Sequence, residues 1–134
     1  MNLKAMLTVS AIYLGVVGLG VMLVPRQFGI GAVPADPSPA LIAFLRIFGG
    51  PFAGIAVLNW LTRKAEPSTA RDAIILANIV GFGCVTAMDI WGVFGGGGRP
   101  VMKVFLVIHV LMTAGFILAA RTNLRAGGPG SVRA

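Results

Sequence analysis

Three ionisable side chains fall inside long apolar runs: Arg46, Asp89 and His109. A charge at bilayer depth costs at least about 2.5 kcal/mol on insertion scales, so each needs a partner, water or a route to the surface. Arg46 lies about eight residues into its run, roughly 12 Å deep at 1.5 Å per residue. His109 lies about eight residues, and Asp89 about five, from the same side of the membrane, so the three heights agree to within roughly 5 Å. A cation, an anion and an imidazole at one level could pair charge or hold the polar end of a ligand. The expected arrangement is an Arg46–Asp89 ion pair in the interior with His109 nearby.

At about 100° per residue, Asn78 returns to nearly the face of Asp89, a face that also carries Thr86. Asn59 is placed to hydrogen-bond to Asn78. Polar stripes in lipid face neighbouring helices rather than acyl chains, and such a stripe can line a wet cavity. The candidate binding residues are therefore Arg46, Asp89, His109 and Asn78. Each has a plainer reading too. The ion pair can be structural glue, Asp89 can be solvated at the interface, Arg46 can snorkel outward, His109 can be a hydrogen-bonded core residue, and the asparagines can simply join helices.

Other chemistry finds little support, and no catalytic residue is assigned. There is no Ser/Cys–His constellation, no paired carboxylates and no metal-ligand spacing. Cys84 is the one cysteine, so a self-contained thiol oxidoreductase is excluded, and the residue is expected to pack as a small apolar group. One histidine cannot supply a bis-histidine haem site. The four glycines at 95–98 are a flexible breaker, since no GK[ST] follows them. No cofactor is named by the residues; a bound lipid or pigment is left open.

The elements that position these residues follow from composition. Apolar residues make up 57% and charged residues 11%, against roughly 45–50% and about 25% in soluble domains. The apolar residues concentrate in four runs at about 5–24, 39–61, 70–94 and 101–120, each long enough to cross a bilayer. The fold class is thus all-α, an integral membrane four-helix bundle over residues 1–121 with a flexible cytoplasmic tail at 122–134. The first run is too long for a signal-peptide core. Ser38 and Pro39 form a helix start, and Thr69 with Asp72 resembles a capping box. Gly49-Gly50-Pro51 is a kink signal. Gly15, Gly18 and Gly20 flatten one side of the first helix, and Gly50 and Gly54 share a face with Arg46. Residues 25–37 are too rich in Pro and Gly for a regular element; Phe28 and Ile30 are expected to dip into the interface.

The formal net charge is +7. Lys4, Arg63, Lys64, Arg71, Arg121, Arg125 and Arg133 lie on one side, and Arg26, Arg99 and Lys103 on the other. By the positive-inside rule both termini face the cytoplasm, and the expected location is the bacterial inner membrane, multi-pass. The basic residues anchor to membrane lipid. With no basic helix or stacking platform, nucleic-acid binding is excluded.

The segments ALIAFLRIFGGPFAGIAVLNW and RDAIILANIV, joined by a short basic loop, resemble the small four-helix bacterial membrane proteins that include DoxX-like chains. The resemblance implies the bundle and carries no catalytic assignment. Small multidrug transporters fit worse, since the first helix has no acid; fluoride channels fit worse because their Phe/Thr/Ser-rich third-helix pattern is missing. Three functional classes follow, in order. First is an accessory or interaction subunit of a membrane assembly, as a homo-oligomer or in a larger complex. Second is a small transporter, channel or lipophile-binding protein using the level of Arg46, Asp89 and His109. A membrane enzyme comes last.

Overall fold

In the computed structural model of the chain, residues 2–29, 31–96 and 98–126 are described, with the side chains of 123–126 excluded. They form α1 (Leu3–Leu23), a single-turn α2 (Pro25–Phe28), α3 (Pro39–Thr62), α4 (Thr69–Phe94) and α5 (Met102–Ala126). The helix starts are chemically explicit. The Asn2 side chain accepts from the Lys4 amide at 3.0 Å, Ser38 from Leu41 at 3.2 Å and Ser68 from Arg71 at 3.2 Å. Such caps are worth about 1 kcal/mol each. The α4 cap is Ser68, one residue before the expected Thr69, because the Ser68 hydroxyl reaches the Arg71 amide. The helical assignment of α3 continues through Pro51, whose missing N–H leaves the Ile47 carbonyl without its usual donor.

α1, α3, α4 and α5 are each long and apolar enough to cross a membrane. Their outward faces carry exposed apolar side chains at every level, with Ile47 77% and Trp91 76% accessible. A girdle of that extent suits acyl chains, and helices satisfy their own backbone groups there. The chain is a multi-pass helical membrane protein.

Two helix pairs build the bundle. α1 packs along α3, α4 packs along α5, and α1 also reaches α5, whereas α3 and α4 touch only sparingly. At the α1–α3 crossing, a methyl group on Gly18 would sit 2.8 Å from both the Gly49 carbonyl oxygen and the Ala53 amide. The absence of side chains there lets the two backbones meet. Gly50 and Gly54 point elsewhere, with nothing within 4 Å. Leu7 and Leu14 of α1, Ala56 of α3, Phe82 of α4 and Phe116 of α5 fill the centre.

Several expectations change. The 25–37 connection includes α2, and the Phe28 ring packs against Gly20. Cys84 is exposed rather than packed inside, because it lies on the outward face of α4. α5 continues to Ala126, so residues 122–126, assigned to the tail, are helical. Ile30, Gly97 and the remaining tail at 127–134 lie outside the described residues.

Candidate functional site

The expected Arg46–Asp89 pair does not form. Arg46 is exposed on α3, away from the face that packs against the bundle. The inward seam of α3 runs through Leu45, Gly49, Phe52, Ala56 and Asn59, and one residue beyond Leu45 lies about 100° round the helix. Counting along the sequence gives height alone, and azimuth decides who meets whom.

Asp89 instead meets His109. The Asp89 Oδ2 lies 2.6 Å from Nδ1 of His109, the sole ion-pair contact among the described residues. The opposite ring nitrogen, Nε2, lies 2.7 Å from the hydroxyl of Tyr13. One hydrogen-bonded line therefore crosses the bundle from α4 through α5 to α1. Asp89 and His109 are both buried, and aromatic rings surround the imidazole. Tyr13 meets it edge-on at 5.7 Å, Phe105 stacks at 6.2 Å and Phe82 tilts against it at 6.1 Å. In so apolar a setting each hydrogen bond is electrostatically stronger than in water, and an unpaired polar atom is costly.

Tyr13 was not singled out by sequence reasoning. It is the chain's one tyrosine and interrupts an aliphatic helix, a compositional signal that was available. Its partner, however, is set by how α1 docks on α5, which no local pattern encodes.

A second polar knot lies toward the end of the bundle where α1 begins. Asn59 and Asn78 exchange reciprocal amide bonds at 2.8 and 2.7 Å, as expected, and Asn59 also donates to Ser10 at 2.9 Å. All three are buried. The knot joins α1, α3 and α4, where α3 and α4 otherwise touch only sparingly. Thr86 completes the α4 stripe, donating to the Phe82 carbonyl at 2.7 Å and standing 3.2 Å from the Thr113 hydroxyl. The stripe Asn78, Thr86, Asp89 faces the interior of the bundle, each residue bonded to a neighbouring side chain.

Between α3 and α4, above this knot, lies a half-open cleft of about 290 Å³. Its walls are mostly apolar, with Phe52 and Ile55 from α3 and Ala77, Gly81 and Val85 from α4. Its polar lining comes from Tyr13, Asn78, Asp89 and His109. Three of the four sequence-nominated residues thus share one cavity, and Arg46 does not belong to it. A small, largely apolar cavity with convergent polar groups is the general form of a small-molecule site. Gly81 keeps it open, since nothing lies within 4 Å of where its side chain would be.

No protein-family model, curated protein or solved structure matches the chain. Its class rests on fold and site: a helical multi-pass membrane protein with an intramembrane cleft and a Tyr–His–Asp line in its wall.

Proposed function

We propose that the protein binds an apolar molecule in the α3–α4 cleft and holds that molecule's acceptor oxygen at Tyr13. The observation that carries this reading is the coincidence of the cleft with the Tyr13–His109–Asp89 line. Two proton arrangements leave Asp89 and His109 neutral as a pair. In one, a carboxylate faces an imidazolium, which carries protons on both nitrogens. In the other, a carboxylic acid donates to Nδ1 and the neutral imidazole keeps its proton on Nε2. Both place an N–H on Nε2, which donates to the Tyr13 oxygen. The Tyr13 hydroxyl proton is then free for an acceptor in the cleft. The third arrangement, a carboxylate beside a neutral imidazole, would consume that proton. It would also leave a net negative charge among Phe82 and Phe105, at a cost of several kcal/mol. Neutrality therefore favours a ligand bearing an acceptor oxygen, such as a carbonyl or ether, over one whose only polar group is an N–H donor.

The test uses an alkyl-substituted benzoquinone as a carbonyl probe, with wild-type protein in nanodiscs. Saturable binding is expected. Tyr13→Phe should weaken it about tenfold, the value of one buried hydrogen bond. Gly81→Phe should fill the cleft and abolish binding. Wild-type protein that takes up no probe, or variants that bind it equally well, would reject the reading.

The distribution of basic residues supports termini on the cytoplasmic side of a bacterial inner membrane. A reporter active only in the periplasm, fused after Ala134, should then stay silent. The accessory-subunit reading draws support from the outward face of Gly50 and Gly54, which is open to close approach by another helix. Crosslinking from cysteines placed there, with Cys84 removed, tests it, and recovery of monomer alone would count against it.

A further inference from the structure

At the end of the bundle where α1 begins and α3 turns back into α4, the ends of the helices frame a second pocket, of about 370 Å³. Three cationic residues line it: Lys4, Arg63 and Arg71. Asn2, Thr62 and Thr122 complete its polar wall. No carboxylate lines it. Glu66 and Asp72 stand at the same end, yet neither is within ion-pair distance of a cation among the described residues.

The cations differ in how far the protein already engages them. Arg63 folds back over the Trp60 ring, 3.5 Å from its centre, and donates to the Trp60 carbonyl. Arg71 gives one Nη1 bond to the Ala65 carbonyl at 3.2 Å, but its Nε is enclosed and has no hydrogen-bond partner. Lys4 is exposed at the rim. The first turn of α1 carries no acidic residue, so the positive end of its dipole adds to the same field. Cationic donors gathered in one pocket with no anion, one of them an unpartnered guanidinium nitrogen, are the arrangement that recognises a phosphate, and guanidinium groups suit it best. The pocket lies where the apolar helices end, so in a bilayer it would stand near the headgroups.

We propose that this pocket binds a phosphate group, presented either by an anionic lipid headgroup or by free phosphate from the aqueous phase. It is separate from the cleft, and the two readings stand or fall independently. Arg71 and Lys4 supply the binding charge, and Arg63 closes one side.

The experiment titrates the full chain in a zwitterionic detergent with two probes, phosphatidate and inorganic phosphate, at matched ionic strength, and reads binding by thermal shift. Wild-type protein should saturate with phosphatidate. Lys4→Gln and Arg71→Gln should each weaken that binding about tenfold, the loss of one charge-assisted hydrogen bond. Lys64→Gln removes a cation at the same end that does not line the pocket, and should leave binding unchanged. If Arg71→Gln fails to fold, Lys4→Gln carries the comparison. An equal response to inorganic phosphate assigns the site to free phosphate; a response to phosphatidate alone assigns it to the headgroup. Absence of saturable binding by either probe overturns the proposal. So does a Lys64→Gln loss as large as that of Lys4→Gln, because diffuse surface charge would then be the cause.

Discussion

Removing Asp89 should reveal which cation it serves. The structure joins it to His109 at 2.6 Å and leaves Arg46 exposed, turned away from the inward seam of α3. A charge-assisted hydrogen bond contributes about 1.5–3 kcal/mol. Helix–helix hydrogen bonds measured in a membrane protein average about 0.6 and reach about 1.7 kcal/mol, because the unfolded state in the membrane also finds partners. The Asp89–His109 coupling should therefore be near the top of that range, about 1.5–2 kcal/mol. Asp89→Ala and His109→Ala should each cost about 3 kcal/mol, since each strands a buried polar partner. The double variant should cost only about 4 kcal/mol, the shortfall from additivity being the coupling. Arg46→Ala should change stability by less than about 0.5 kcal/mol and add independently to Asp89→Ala. Reversible unfolding in bicelles, followed by the tryptophan signal, supplies all the terms. A cycle that couples Asp89 to Arg46 and not to His109 would refute the reasoning.

Three further outcomes are expected. Gly18→Leu should destabilise the protein by about 1–3 kcal/mol, because the new side chain meets the backbone of Gly49 and Ala53. Gly54→Leu, with open space around it, should stay within about 0.5 kcal/mol in the same unfolding assay. Asn59→Ala should cost about 2 kcal/mol, from three side-chain bonds at roughly 0.6 kcal/mol each. In that variant, faster hydrogen exchange should appear first in α3 and α4 around Ala56 and Asn78; uniform exchange across all helices would contradict the local role of the knot.

The bundle was legible because lipid solvation writes itself into composition and run length. Ser38 and Pro39 marked the start of α3 for a local reason, the satisfaction of its first amides. Asn59 and Asn78 were also legible as partners, since a carboxamide at membrane depth has few alternatives to another polar side chain. Arg46 misled because counting along a helix gives height alone. Its direction was fixed by the glycine contact between Gly18 and Gly49, a tertiary event. Tyr13 was hidden for the same reason, because α1 carries no second polar residue at that level to announce a site. The cleft itself is a consequence of which helices pair, α1 with α3 and α4 with α5.

The position of one proton decides what the cleft can hold. His109 is the chain's single histidine, so ¹⁵N-histidine labelling yields the resonances of one imidazole without assignment. Solid-state NMR of the protein in bilayers should show Nε2 protonated and hydrogen-bonded, with that bond lost in Tyr13→Phe. A bare Nε2 accepting the tyrosine proton would contradict the neutral-pair argument and with it the preference for an acceptor-bearing ligand.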